Sequence, residues 1–353
     1  MSHFTVAVRV PADVEADDVQ SYVESALEPY YEQGEEGDYF MVFQDKTEEV
    51  NEDWDTKTVT RVELDGKLYF ERDQELCEKV GVERFGYMYP DPELEAAIKK
   101  AGGVYKEIPV KEVYETFDSY VKEYHGYRLN DQGQYGYYSN PNAKWDWWSI
   151  GGRWMGHWPA KAGAKTRLGE PGVFGNEAPE DGADIIRIKD IDLESADVST
   201  NDKVEEFLKE YAEYYASGKE PDDSYPFSGP RSDGLSVGLV DCLDEDEITN
   251  EIRATCKLRK WDREGPARYD VLKPLPEGEK LEEFKQFLRD QFNRLRTFAY
   301  LDEENGWVEP GTMGWWGAND SDTESRKEYS KGFMRWLRGG NQDDWVVTVD
   351  CHI

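Results

Sequence analysis

Histidine and cysteine are scarce in this chain of 353 residues, four of each, and positive charge is heavily outnumbered. With no CxxC, no HExxH and no His–Cys spacing of a zinc site, no metal centre is expected. The GxxxxGK[ST] loop that cradles phosphates and the GxSxG turn that exposes a serine nucleophile are both missing, and no cofactor is expected. No apolar run approaches the roughly 20 residues of a membrane span, so no membrane partner is expected. The opening Met1-Ser-His-Phe-Thr-Val6 has neither a basic start nor a small-residue cleavage site, which predicts no secretion signal. Scattered thiols (Cys77, Cys242, Cys256 and Cys351) fit a reducing compartment, and the expected location is the cytoplasm.

Seventy-six acids against forty-two bases leave a net charge of -34. Such a charge repels nucleic acid and anionic membranes, so no direct nucleic-acid binding is expected. Salt adaptation usually depletes lysine, yet lysine (23) outnumbers arginine (19) here. Two causes remain: a solvated acidic surface, or a surface that imitates a polyanion. Residues 11 to 55 concentrate sixteen of the acids against the single base Lys46.

Periodicity predicts an α+β protein, with a mixed, largely antiparallel sheet, flanking amphipathic helices and a long Trp/Gly-rich irregular segment. Strands are expected at Phe4–Val10, Tyr39–Phe43, Ile185–Ile188, Leu235–Val240, Thr297–Leu301 and Trp345–Cys351. Asp65-Gly66 predicts a hairpin between Thr58–Leu64 and Lys67–Glu71. Helices are expected after Asp17 or Asp18, from Pro92 to Gly102, over Val110–Tyr124, from about Ser199 through Tyr215, over Glu279–Arg296 and over Asp322–Leu337. Residues 127–180 show no clear period and are expected to be irregular. The chain reads as one folding unit, with sub-lobes 1–126 and 127–353 as the alternative division and 219–233 as a loop or linker.

Three stretches could carry chemistry. The first, Asn140-Pro-Asn-Ala-Lys-Trp-Asp-Trp-Trp148 followed by Gly151-Gly-Arg-Trp154, lies in the only basic island. From 140 to 168, Asp146 alone faces Lys144, Arg153, Lys161, Lys165 and Arg167. Either the indoles build a satellite core, or Trp145, Asp146, Trp147, Trp148, Arg153 and Trp154 line a ligand pocket. In the pocket reading Arg153 meets an anionic group and the indoles stack on a planar one. The second, Met313-Gly-Trp-Trp-Gly317, offers Trp315 and Trp316 as a pocket rim or a turn. The third is the terminus. Alternation on a strand points Asp350 and His352 one way and Cys351 the other, which counts against a Cys351–His352 nucleophile pair. Asp350, His352 and His3 meet only if the first and last strands are neighbours. Asp350, Cys351, His352 and His3 are the catalytic candidates, and no catalytic assignment is made among them.

The motifs at Met1-Ser-His-Phe-Thr-Val6, at 140–154, at Met313-Gly-Trp-Trp-Gly317 and at Val349-Asp-Cys-His-Ile353 together resemble a family of bacteriophage- and plasmid-borne accessory proteins. The resemblance implies no reaction and no catalytic residues. It implies a protein that modifies or blocks a host process. The leading expectation is therefore a non-enzymatic inhibitor that uses its acidic surface to bind a host protein with a basic or nucleic-acid-binding face, such as a defence nuclease. Glu15, Asp17, Asp18, Glu24, Glu28, Glu32, Glu35 and Glu36 are the expected partner-binding residues. The alternative is a nucleotide sponge or enzyme built on the Trp/Arg153 pocket. The sequence is compatible with a homo-oligomer.

Overall fold

Alternation builds the first strand. In His3–Val10 the side chains of Phe4, Val6, Val8 and Val10 share one face, and those of His3, Thr5 and Ala7 share the other. The computed structural model describes residues 2–70, 73–82, 92–172, 177–221, 227, 241–261, 266–314 and 319–353. It is an α+β protein with mostly antiparallel sheets. Two compact units divide it: residues 1–32 with 142–353, and residues 33–141. The sub-lobe division expected at 126 falls elsewhere than this boundary.

In the larger unit, His3–Val10 pairs antiparallel with the last strand, Trp345–His352, over its full length, His3 facing His352. On its other edge it pairs parallel with Ala299–Asp302, which continues into Gly306–Val308. The far edge of Trp345–His352 is shared by two strands. Ile185–Arg187 takes its first half and Trp147–Gly152 its second. Between them the Thr348 amide donates to the Asp184 carbonyl at 2.9 Å, which keeps the ladder continuous across the fork.

The helix Val19–Leu27 covers one face, burying Val19, Val23 and Leu27 completely against Val6, Val8 and Val347. Burial of each such side chain is worth about 1.5–3 kcal/mol. Asp18 occupies the N-cap position of this helix, but its side chain makes no cap bond. The helix Thr323–Arg338, capped by Asp322, covers the opposite face with Phe333, Trp336 and Leu337. The helices Leu193–Ala216 and Glu279–Phe292 pack together through Val204, Leu208, Phe284, Phe287 and Leu288.

The smaller unit holds the predicted hairpin, Thr58–Leu64 with Lys67–Tyr69, turning on Asp65 (φ 53°) and Gly66 (φ 76°) as Asp-Gly turns do. The helix Pro92–Lys100 packs on that sheet through Leu94 and Ile98. Its second sheet has the order Val42–Asp45, Tyr135–Ser139, Arg128–Leu129.

Three expectations need correction. The segment 127–180 is not uniformly irregular: it supplies several strands, and Trp147–Gly152 belongs to the central sheet. Aromatic residues on both faces and two terminal glycines hid its period of two. The helix expected over Val110–Tyr124 is broken. Tyr114 is extended, Thr116 and Ser119 form a capping box, and a π-turn over Val121–His125 ends at Gly126 with φ 72°. The helix expected from Ser199 starts earlier, at Leu193, because the Asp192 side chain accepts from the Ser195 amide at 3.0 Å. The Leu235–Val240 strand and most of the 219–233 linker lie outside the described residues.

Candidate functional site

Three strands bring three distant chain segments to one end of the central sheet. Register places His3, His352 and Trp147 in one row, and Thr5, Asp350 and Ser149 in the next row on the same face. The condition set by the sequence, that the first and last strands be neighbours, is met.

Two histidine–carboxylate pairs result. His3 Nδ1 lies 2.8 Å from Asp350 Oδ1, and His352 Nδ1 lies 2.5 Å from Asp146 Oδ1. A carboxylate only accepts, so each Nδ1 carries a hydrogen and a neutral ring keeps its lone pair on Nε2. The rings sit 5.0 Å apart, edge to face, with the Trp147 ring 6.0 Å from His3. The Nε2 of His352 is buried and meets no hydrogen-bond partner among the described residues. Trp147 is 46 % exposed.

Beneath this row the turn after Trp147–Gly152 is held by two fully buried carboxylates. Asp350 Oδ2 accepts the Arg153 amide at 2.9 Å. Asp184 accepts the amides of Gly156 at 2.7 Å and Gly169 at 2.9 Å. Burial raises the Asp184 carboxyl above its usual range, opposed by these amide bonds and one from His157. Both glycines of Gly151-Gly152 are required. They have φ of 81° and 56°, and a Cβ on Gly152 would stand 2.3 Å from the Asp350 side chain. Backbone thus closes tightly at this pair, against the protein's own carboxylates.

The other expected residues divide. Trp145 is only 8 % exposed; its ring packs 4.7 Å from Tyr31 and its N–H donates to the Leu27 carbonyl, so it belongs to the core. Trp158 is fully buried on the opposite face. Trp148 packs half-buried against the Val19–Leu27 side, and Trp154 is half-buried. Cys351 points away from the histidines into the core, where burial pushes its thiol well up, which suits an inert residue. Trp315 and Trp316 lie outside the described residues. The basic island is dispersed: Lys144 pairs with Glu309 at 2.7 Å, Lys161 with the Lys189 carbonyl at 2.7 Å, and Arg167 with Asp17 at 2.9 Å.

All eight acids expected to bind a partner are exposed. Those from Glu15 to Glu32 belong to the larger unit, Glu35 and Glu36 to the smaller. On the Val19–Leu27 helix the apolar side faces the sheet, which leaves Glu24 facing water beside Asp17, Asp18 and Glu28 at its ends. The carboxylates of Glu15, Asp18, Glu24 and Glu32 meet no cation among the described residues.

Sequence reasoning missed a hollow of about 610 Å³ in the smaller unit, lined by Glu35, Glu36, Met41, Phe43, Arg128 and Tyr138 among others. Its signal was present in the alternation Tyr135-Gly-Tyr-Tyr138, where one glycine vacates a strand face. Among the described residues no group of three or more histidine, cysteine or acidic side chains is placed to hold a metal, and no helix is long and apolar enough to cross a membrane. Compared with known proteins, the chain matches no family model, no curated protein and no solved structure.

Proposed function

We propose that this protein is a phage-type accessory factor that captures a basic, nucleic-acid-handling host protein, such as a defence nuclease, and blocks it. It would act in the host cytoplasm. The observation that carries the reading is the outward acidic face around the Val19–Leu27 helix, where Glu15, Asp18, Glu24 and Glu32 have no internal cation to satisfy. Carboxylates so placed attract lysines and arginines that ordinarily hold phosphates, raising the association rate and excluding nucleic acid. The resemblance of the chain's motifs to mobile-element accessory proteins points the same way. The test is a pull-down from host lysate at about 50 mM and 500 mM salt, where screening shortens from above 10 Å to below 5 Å. A basic partner recovered at low salt and lost at high salt, and lost also from the variant Glu15→Lys/Asp18→Lys/Glu24→Lys, supports capture. Recovery of no basic protein at either salt refutes it.

A second reading, a small-molecule site at His3, His352 and Trp147, is favoured by the unpartnered Nε2 of His352 beside an exposed indole. A ligand stacking there should quench tryptophan emission in the parent protein and fail to do so in Trp147→Phe. An unchanged spectrum across a panel of nucleotides removes this reading.

A further inference from the structure

The hollow in the smaller unit combines an aromatic floor with an acidic wall. Phe43 and Tyr138 face each other across paired strands, with ring centroids 5.2 Å apart at 67°. The neighbouring pair on that face is Asp45 with Gly136, and Gly136 stands opposite Arg128 on the next strand. Glycine there is compulsory, since a Cβ would lie 2.0 Å from the Gln44 carbonyl oxygen and 2.8 Å from the Phe43 ring. The strands therefore close tightly at Gly136, and the Phe43 ring lies across it. The wall is the stretch from Gly34 to Met41, which brings Glu35, Glu36 and the Met41 thioether to the same space. Asp38 fixes that stretch by accepting the Glu35 amide at 2.7 Å, and the Tyr138 hydroxyl bonds Glu36.

Two carboxylates and two aromatic rings lining one hollow suit a cation carried on an apolar stem. Ring quadrupoles attract the charge, the carboxylates neutralise it, and the thioether and rings cover the methylenes. Beside the hollow, Val42–Asp45 is an edge strand, and Val42 and Leu129 are exposed. An edge strand takes an extended peptide, whose alternate side chains then reach one face. We infer that the hollow binds a lysine or arginine side chain of an extended, basic, apolar-interleaved peptide segment on the captured partner. This deepens the capture proposed above and rests on it. Arg128 is the one base lining the hollow and opposes such a ligand.

The test uses the full chain and a fluorescein-labelled peptide alternating arginine with leucine, followed by anisotropy. A peptide with glutamate in place of arginine serves as the control. Glu35→Gln/Glu36→Gln and Tyr138→Ala should each weaken arginine-peptide binding about tenfold or more, and Arg128→Ala should strengthen it severalfold. Glu283→Gln, exposed on the larger unit and outside the acidic face, should leave it unchanged. Equal affinity for both peptides, or affinity insensitive to the Glu35/Glu36 double variant, overturns the inference, and so does weakening by Arg128→Ala. The glutamine variants are exposed and conservative, so loss of fold does not confuse the result. If they still recover a salt-sensitive basic partner from lysate as the parent does, capture survives and the hollow falls. If the parent binds neither peptide nor partner, both fall.

Discussion

Two aromatic-rich stretches of this chain put similar side chains to opposite uses. Between Trp145 and Trp158, aromatic rings close up the structure: Trp145 and Trp158 enter opposite faces of the central sheet, and the turn between them is tied to buried Asp350 and Asp184. Between Tyr127 and Tyr138 the rings divide: Tyr127 and Tyr135 pack half-buried against the smaller unit's core, while Tyr137 and Tyr138 line the hollow. Tyr137 is 41 % exposed, stacked 5.4 Å from Tyr127, while Phe43 and Tyr138 floor an open hollow. The glycines meet different neighbours. Gly151 and Gly152 let backbone close onto internal carboxylates, whereas Gly136 lets the Gln44 carbonyl and the Phe43 ring close onto its strand beside the hollow. Aromatic density alone therefore does not locate a binding surface; what lies opposite the glycines does.

The comparison breaks most visibly at the tryptophans. Trp158→Ala should cost about 3–5 kcal/mol, since it empties a fully buried site among Ile186, Leu295 and Phe333. Gly152→Ala should cost a similar amount, because it adds left-handed backbone strain to a clash with Asp350. Urea denaturation followed by far-ultraviolet circular dichroism measures both. A loss below about 1 kcal/mol for either would mean that the tryptophan stretch is not the closed, carboxylate-pinned core described here.

The next effect is pH-dependent and again belongs to the closed region. His157 donates from Nε2 to the Leu295 carbonyl at 3.0 Å, and burial lowers its pKa to about 4. The unfolded chain, with an ordinary value near 6.5, binds the proton first. Stability is thus fully present above about pH 6.5 and is lost as pH falls towards 4. At pH 5 the loss is about 2 kcal/mol at most, since the proton is then bound about 1.5 pH units below the unfolded value. Protonation of the many surface acids acts on the parent and on His157→Gln alike, so the difference between them from pH 7 to pH 5 isolates the effect. A difference that does not shrink as pH falls would contradict it.

Much of the fold was legible where one face is apolar and the other is not. The first strand, the Asp65-Gly66 hairpin, the Glu279–Phe292 helix and the last strand all follow from period and turn chemistry. Trp147–Gly152 was illegible because Trp147 and Trp148 are aromatic on both faces. The start of the Leu193–Ala216 helix was hidden because Ser195, Asp197, Val198, Ser199 and Thr200 are weak helix formers, held by the Asp192 cap and by packing of Ala196. Of the candidate site, Asp350 and His352 could be placed on one face from alternation alone. Their meeting with His3 depends on pairing across 347 residues and more, which local pattern does not encode. The hollow around Gly136 needed the same long-range knowledge, since its wall and floor come from separate segments.

The smallest predicted effect is the sharpest test of the contrast. Tyr137→Ala removes a ring that is 41 % exposed and stacked on one neighbour, so it should change stability by no more than about 1 kcal/mol. Iodide quenching gives a parallel readout for the indoles. Trp147 stands near the protein's own acids but is 46 % exposed, whereas Trp145 and Trp158 are shielded. Replacing Trp147 with phenylalanine should therefore remove a quenchable component of the emission, while Trp145→Phe should remove a shielded one. If Trp145→Phe instead abolishes the quenchable component, the assignment of core and surface within this stretch is inverted, and the indoles rather than the tyrosines form the open aromatic surface.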